Sequence, residues 1–246
     1  MNKVLSLIYI PYRYLVFVPL LAVFTLVLGV SAMVLVQVFS PRFVSLVCGV
    51  TWAKLNGLIT PVLVKVVGRE NIEKKQSYVV VSNHQSEYDI IVLYGWLGID
   101  FRWVMKMELR QVPILGYACE KMGHIYIDRS NARAAFNSLK EAKKKVVGGA
   151  SVLFFPEGPR SLSGQLDDFK RGAFVVALEL GLPILPVTIV GTRNILPPKT
   201  LKLLPGRARI VIHKPIDTSE YNKRTAGKLI ERVRLAIQSS LDENKV

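Results

Sequence analysis

The chain has 246 residues, enough for one domain with a sizeable core and an appended segment. Half of the residues are hydrophobic and the formal net charge is +15, so anionic partners are expected: lipid surfaces, phosphorylated substrates or nucleic acid. The two cysteines, Cys48 and Cys119, show neither a pairing pattern nor metal-ligand spacing. This excludes a disulfide framework and a zinc site, and it favours a reducing compartment.

The front of the chain is its most apolar part. Residues 15–39 contain no charged side chain and are long enough to span a bilayer. A break at Pro41-Arg42 is followed by a second apolar run at 43–64, which is interrupted only by Lys54. The apolar core of a secretory signal peptide would be much shorter, and a buried helix of a soluble protein is the weaker alternative at this length.

The basic residues around these runs argue against a simple membrane span. They show no excess on one side of the first run, so the positive-inside rule assigns no orientation. Lys54, near the centre of a second span, would cost about 3 kcal/mol. A hairpin of two helices dipped into one leaflet avoids both difficulties. We therefore predict a membrane-associated two-helix segment at residues 1–64, followed by a second domain at 65–246.

Strand and helix patterns alternate in this second domain, which is typical of an α/β fold. Strands are predicted at 78–82, 101–105, 125–127, 151–155, 184–190 and 208–213. Helices are predicted at 86–97, 131–147, 172–180 and 221–241. Glycines at two of the helix ends, 148–149 and 181, are the expected left-handed stops. The fold expected is a mixed sheet layered with helices, preceded by the membrane-embedded hairpin.

The segment 83–89 reads NHQSEYD and joins the first of these strands to the first of these helices. On a continuous helix, His84 and Asp89 would point apart, and on one strand they would lie about 16 Å apart. Only a turn that continues into a helix can bring Asp89 back to His84. The carboxylate would then hold one imidazole nitrogen and leave the other free as a general base for a substrate hydroxyl.

A structural role is the alternative for Asp89. Ser86-x-x-Asp89 also fits a capping box, in which the carboxylate satisfies backbone donors at a helix start. The two roles are compatible, because the helix dipole favours a carboxylate in the first turn. Taken alone, so short a motif favours the structural role.

A second polar turn follows the predicted strand 151–155. Residues 155–161 read FPEGPRS, in which Gly158 permits a positive φ or close backbone approach. The planar guanidinium of Arg160 suits a bidentate phosphate contact. Taken alone, these residues are better explained by an ordinary turn with a surface pair between Glu157 and Arg160.

Together, the two motifs resemble the 1-acylglycerol-3-phosphate (lysophosphatidate) acyltransferase family of glycerolipid acyltransferases. The resemblance runs from about residue 77 to 216. It rests on four ordered blocks: H-x4-D at 84–89, KMEL at 106–109 with IDR at 127–129, FPEG at 155–158, and FKRGA at 169–173 with LPILPV at 182–187. The chain departs from the family pattern at Pro159, where threonine is usual. Proline has no hydroxyl to offer an acceptor and no backbone donor.

The resemblance implies a specific activity. The family transfers a fatty acyl group from acyl-CoA or acyl-carrier protein to the sn-2 hydroxyl of 1-acylglycerol-3-phosphate, which gives phosphatidate. His84 and Asp89 would be the catalytic residues, with no metal and no cofactor beyond the thioester co-substrate. The residues expected to bind substrate are Glu157, Gly158, Arg160, Lys106 and Arg129. Since thioester donors are cytoplasmic, the catalytic domain is expected on the cytoplasmic face of a membrane, the inner membrane in a bacterium.

Two other functions stay open at this point. One is an acyltransferase that uses another lyso-lipid acceptor, and the other is a non-enzymatic, membrane-anchored basic binding protein. The basic residues are spread along the chain without a nucleic-acid motif or a stacking array, so nucleic acid is not expected as a partner. The expected partners are lysophosphatidate, an acyl thioester, membrane lipids and, as one source of the thioester, acyl-carrier protein.

Overall fold

Two apolar helices open the part of the chain that the computed structural model describes, which comprises residues 9–128, 146 and 149–243. Helix α1 is Tyr9–Leu35, and helix α2 occupies residues 41–59. Ser40 begins α2, because its hydroxyl accepts the Phe43 N–H at 3.3 Å and proline occupies the first helical position. The two helices touch where the Trp52 indole N–H donates to the Thr25 hydroxyl at 3.0 Å.

Large apolar side chains cover the outer surface of both helices. The exposed ones include Leu15, Val23, Leu26, Val27, Val30 and Val34 on α1 and Phe43, Leu46, Val47 and Leu58 on α2. Within the described residues, α1 is the one helix long and apolar enough to cross a membrane, with a mean hydropathy of 2.5 over its best window and 11% of that window buried. A core helix of a soluble protein would be mostly buried, so its exposure sets α1 apart from such helices.

A sheet follows, with seven strands in the described part of the chain. They are β1 (Val62–Val67), β2 (Val79–Ser82), β3 (Phe101–Lys106), β4 (Ile125–Ile127), β5 (Ser151–Phe154), β6 (Ile184–Val190) and β7 (Gly206–Ile212). Their order is β1-β7-β6-β2-β5-β3-β4. Neighbours are parallel except β6 and β7, which are antiparallel. The predicted mixed sheet is therefore confirmed, and β2 occupies its centre.

Helices cover both faces of this sheet. They are α3 (Tyr88–Trp96), α4 (Leu115–Lys121), α5 (Gly172–Leu180), the short α6 (Thr192–Ile195) and α7 (Ala226–Glu243). Alternation along β2 separates the two layers: Val80 packs in one core with α3, whereas Val79 and Val81 pack in the other with α5 and α7. Short 3₁₀ turns occur at Arg69–Asn71 and Met107–Gln111. The layered arrangement is thus the one that the sequence predicts.

Strand β1 was not predicted. Its first residues, 62–64, read as the end of the second apolar run, and so fall inside the segment predicted at 1–64. Valines at 62, 64, 66 and 67 favour a strand. Pairing with β7, which places Val62 opposite Gly206, gives that strand its parallel partner. The pairing joins the first and last strands of the described chain, and no local sequence pattern predicts such a long-range contact.

Two further differences concern helices α4 and α7. Helix α4 was not predicted, and α7 begins five residues later than the predicted start at 221. The delay has a local cause: the Asn222 side-chain oxygen accepts the N–H groups of Arg224 and Thr225 at 2.9 and 3.2 Å, which forms a turn instead. The helix predicted at 131–147 lies outside the described residues apart from Val146.

Candidate active site

The two sequence motifs meet at one edge of the sheet. His84 lies on the loop after β2, and Glu157 and Arg160 lie on the loop after β5. Lys106 ends β3. Because β2, β5 and β3 are consecutive parallel neighbours, their carboxyl ends share this edge. Open α/β sheets bind their ligands at such an edge.

His84 and Asp89 are in direct contact. Asp89 Oδ2 lies 2.8 Å from His84 Nδ1 and also accepts the backbone N–H groups of Gln85 and Ser86 at 2.7 and 2.9 Å. Three N–H donors thus compensate the burial of this carboxylate, which is fully shielded from solvent. Since the carboxylate can only accept, Nδ1 carries the proton, which leaves Nε2 as an acceptor. The pair is therefore arranged as a general base requires.

Part of the capping box is present as well. The Ser86 N–H donates to Asp89, as in a capping box, but the Ser86 hydroxyl accepts the N–H of Tyr88 at 3.0 Å rather than that of Asp89. Both contacts help to hold the first turn of α3. Asp89 therefore serves the helix start and contacts His84 through the same oxygen, so the two roles weighed for it coexist in the geometry.

Aromatic stacking fixes the plane of the imidazole. The ring of His84 lies 3.9 Å from that of Phe155 at an interplanar angle of 11°, and Phe155 in turn stacks on Trp103 at 6.0 Å. The loop is anchored on its other side by Asn83, whose side chain makes two hydrogen bonds with the backbone of Ile189 on β6. Sequence reasoning missed the supporting role of these residues, although Asn83 and Phe155 open the two segments that it identified.

Glu157 is buried rather than open to a substrate. Its Oε1 accepts the His84 backbone N–H at 2.7 Å, and its Oε2 accepts the Asp167 N–H at 2.9 Å. Burial raises the pKa of this carboxyl to about 7, although the two backbone donors act in the opposite direction. Since both oxygens are engaged within the protein, the geometry favours a role in holding the His84 loop. A substrate contact by Glu157 stays a prediction.

Gly158 is required by the shape of the turn that follows. Its φ is +87°, and a Cβ at this position would lie 2.8 Å from the Lys170 ammonium nitrogen. The same loop is tied to the first motif by the Ser161 N–H, which donates to the His84 carbonyl at 2.9 Å. The two motif loops therefore form one hydrogen-bonded unit.

Arg160 points towards the start of α3. Its Nη1 lies 3.0 Å from Glu87 Oε1, and both side chains are about one third exposed. The surface pair weighed between Arg160 and Glu157 is therefore not formed, because Glu87 takes that place. Such an exposed pair contributes little to stability, so an anionic ligand can compete for the guanidinium.

The other predicted substrate residues are less defined. Lys106 is exposed at the end of β3. Arg129 lies outside the described residues. Within those residues there is no cluster of three or more His, Cys, Asp or Glu side chains able to hold a metal ion.

Comparison with known proteins identifies the family. Residues 63–190, just over half of the chain, match the family described as Acyltransferase. The chain is 38% identical over 181 residues to a chloroplastic 1-acyl-sn-glycerol-3-phosphate acyltransferase of Arabidopsis thaliana, covering 73% of this chain and 49% of that protein. It is 37% identical over 180 residues to a 1-acyl-sn-glycerol-3-phosphate acyltransferase of Chlamydomonas reinhardtii, covering 72% and 53%. The chain thus spans about half the length of these relatives.

A solved structure is similar over nearly the whole chain. It is the crystal structure of the 1-acyl-sn-glycerophosphate (LPA) acyltransferase PlsC from Thermotoga maritima, with a TM-score of 0.85, 26% sequence identity and 98% coverage of both chains. The matched family region contains both motif loops, including the contact between His84 and Asp89 and the buried Glu157. The chain belongs to the Acyltransferase family.

Proposed function

We propose that this chain transfers a fatty acyl group from acyl-CoA or acyl-carrier protein to the sn-2 hydroxyl of 1-acylglycerol-3-phosphate. The observation that carries the proposal is the 2.8 Å contact between His84 Nδ1 and Asp89 Oδ2, at the sheet edge where Arg160 also lies. Several relatives of the chain are named as enzymes for this acceptor, which supports the choice.

The chemistry follows from the tautomer of His84. Nε2 takes the proton of the acceptor hydroxyl as its oxygen attacks the thioester carbonyl, and Asp89 stabilises the imidazolium that forms. Collapse of the tetrahedral adduct breaks the carbon–sulfur bond, and the imidazolium returns the proton to the thiolate. Because the thioester is already activated, the protein needs no covalent intermediate. General-base help of this kind is typically worth roughly 10² to 10⁴ in rate.

The acceptor phosphate is assigned to Arg160, with Lys106 and Arg129 as assistants. The guanidinium offers a planar pair of donors for phosphate oxygens, and a dianionic phosphate competes well against the partly exposed carboxylate of Glu87. Phosphate capture at this position would fix the distance between the acceptor phosphate and His84, because Arg160 follows β5 and His84 follows the neighbouring strand β2.

Glu87 also favours a second candidate acceptor. A carboxylate 3.0 Å from the phosphate-binding arginine suits a headgroup that carries both a phosphate and an ammonium group. Such an acceptor would place its phosphate on Arg160 and its ammonium on Glu87. A panel containing lysophosphatidate and lysophosphatidylethanolamine, each offered with both thioester donors, distinguishes the two acceptors.

The test of the enzyme proposal is a transfer assay on purified protein in lipid vesicles. Wild type should acylate a lyso-lipid, whereas His84→Ala should lose transfer while folding and vesicle association stay intact. His213→Gln is the matched control, since His213 follows β7, which β6 separates from β2, and it hydrogen-bonds Thr188. Near wild-type turnover by His84→Ala would refute the mechanism. Salt-dependent nucleic-acid binding without transfer would favour a non-enzymatic binding protein.

We further propose that α1 and α2 insert as a hairpin into one leaflet, with the catalytic domain on the cytoplasmic face. The exposed apolar side chains of both helices support insertion. Lys54 supports a shallow position, because its stem lies along α3, 3.6 Å from the place of a Cβ on Gly95. The charged residue thus lies where α2 meets the rest of the domain.

Labelling of the turn between the helices tests this arrangement. Ser40→Cys is introduced after both native cysteines, which are buried, have been replaced by alanine. An impermeant thiol reagent added outside intact cells should leave the introduced thiol unlabelled. In a companion variant, Lys199→Cys at an exposed position of the catalytic domain should react only after the cells are opened. Efficient labelling of the Ser40→Cys variant from outside would show a full span and overturn the one-leaflet arrangement.

A further inference from the structure

A polar pocket lies beside the His84 loop. It has a volume of about 310 Å³ and is formed by the loops after β5 and β6 together with one face of α7. The side chains that matter for its chemistry are Gln85, Arg193, Asn194, Arg234 and Gln238. None of the described residues that line it is acidic. The pocket therefore combines two positive charges with neutral hydrogen-bonding groups.

The two arginines are held differently. Arg193 donates to the backbone carbonyls of Ser161 and Leu162, which fixes its guanidinium in the pocket wall. The Nε of Arg234 is shielded from solvent and has no hydrogen-bond partner in the described structure. Leaving a buried donor unpaired is unfavourable, and more so for a charged group. An anionic ligand with several oxygen acceptors, such as a phosphate, would satisfy this donor.

The pocket and Arg160 occupy different positions beside His84, although the loop after β5 contributes to both. Arg160 pairs with Glu87 at the start of α3, whereas the pocket also contacts the end of β6 and α7. Gln85 connects the pocket to the catalytic pair, because it lines the pocket while its backbone N–H donates to Asp89. A reaction between two phosphate-bearing substrates needs two anion sites within reach of one base, and this arrangement supplies them.

We propose that this pocket binds the phosphate of the phosphopantetheine arm of the acyl donor, a group that acyl-CoA and acyl-carrier protein share. The inference rests on the proposed function, since it assigns one of the two substrates of that reaction. With the phosphate on Arg234, the flexible pantetheine arm extends across Gln85 and delivers its thioester to His84. The acceptor enters from the side of Arg160.

Arg234→Gln is the decisive variant, because it keeps a polar side chain and removes the charge. Three donors are compared: acyl-CoA, acyl-phosphopantetheine and acyl-pantetheine, which lacks the phosphate. The variant should raise the KM for the first two by roughly 10- to 100-fold. The KM for acyl-pantetheine and for the acceptor should stay unchanged. Arg232→Gln is the control, since Arg232 lies on the same helix, is exposed and bonds Tyr221 outside the pocket.

The possible outcomes distinguish a failure of the pocket assignment from a failure of the proposed function. An equal rise in KM for acyl-pantetheine, or no rise for any donor, overturns the pocket assignment. Acyl-carrier protein should show the same rise as acyl-CoA; a rise for acyl-CoA alone would assign the pocket to the nucleotide phosphates and overturn the shared-phosphate assignment. Direct binding of phosphopantetheine, weakened in Arg234→Gln but not in Arg232→Gln, tests the pocket without turnover. If wild type bound it but transferred nothing, the proposed function would fail and the pocket would stand.

Discussion

Replacing Asp89 by asparagine separates the charge of this side chain from its hydrogen bonds. In the folded chain, Oδ2 accepts from His84 Nδ1 and from two backbone N–H groups. An asparagine would place its amide oxygen at that position, because its NH₂ group cannot accept from the two backbone donors. All three donors would remain satisfied, and Nδ1 of His84 would keep its proton.

The loss of rate in Asp89→Asn then comes from the missing negative charge. In the transition state His84 becomes an imidazolium, whose centre of charge lies roughly 4 Å from that of the carboxylate. At an effective dielectric constant of about 20, the attraction at this distance is about 4 kcal/mol. One factor of ten in rate corresponds to about 1.4 kcal/mol, so kcat should fall roughly 10²- to 10³-fold. The KM of both substrates should change by less than about twofold, because the charge acts in the transition state.

Steady-state transfer kinetics and a double-mutant comparison check this expectation. His84→Ala combined with Asp89→Asn should be no slower than His84→Ala alone, because the charge acts only through the imidazolium. Thermal unfolding monitored by circular dichroism verifies that the variant is folded. A loss of less than tenfold in kcat, or a further loss in the double variant, would refute the assignment of Asp89 as the partner of a catalytic imidazolium.

Three other variants test the neighbouring loop. Arg160→Gln should raise the acceptor KM roughly 10- to 100-fold and leave the donor KM unchanged; a rise in the donor KM instead would reverse the two assigned anion sites. Glu157→Gln addresses the carboxyl whose pKa burial raises to about 7 from an ordinary value of 4.5. Between these pH values Glu157 is protonated in the folded chain and ionised in the unfolded chain. The contribution of Glu157 therefore makes wild type more stable as the pH falls from 7 to 4.5, by an amount on the order of 3 kcal/mol. Denaturant titrations at pH 4.5 and 7.5 measure the change in the free energy of unfolding between the two pH values. This change should be smaller in Glu157→Gln than in wild type, and an equal change would contradict the assignment to Glu157. Gly158→Ala should lose about 1–2 kcal/mol of stability, since alanine is strained at a φ of +87°, whereas equal stability would show that the turn relaxes freely.

The distance along the chain between interacting residues explains what the sequence could predict. His84 and Asp89 are five residues apart, and the strand-to-helix pattern around them made their contact possible, as the structure shows. Glu157 contacts His84 across 73 residues, and Asn83 contacts Ile189 across 106. These partners meet because β5 and β6 are the neighbours of β2, and strand order has no local signature. The contact between His84 and Asp89 was therefore predictable, whereas the residues that hold the two in place were not.

The same reasoning applies to the fold. Strands with alternating or continuous β-branched patterns, such as β4 and β6, were predicted with their observed bounds because their signal is local. The paired strands β1 and β7 show the limit, since β1 resembles the end of an apolar helix until its partner is known. The position of the pocket beside Arg234 depends on α7 packing against β6, which is again a long-range contact.

Three features of the fold lie beside His84, and each would serve one part of the proposed acyl transfer. The loop after β5 carries Arg160, and the pocket between that loop, β6 and α7 contains Arg234; these are the two proposed anion positions. The third neighbour is the N-terminal hairpin, because the Tyr88 hydroxyl, one residue before Asp89, donates to the backbone carbonyl of Asn56 on α2. The helix that carries Asp89 is thus hydrogen-bonded directly to one of the apolar helices. Under the proposed insertion and mechanism, His84 would lie at a fixed height above the leaflet, and a lyso-lipid would present its hydroxyl to it without leaving the membrane.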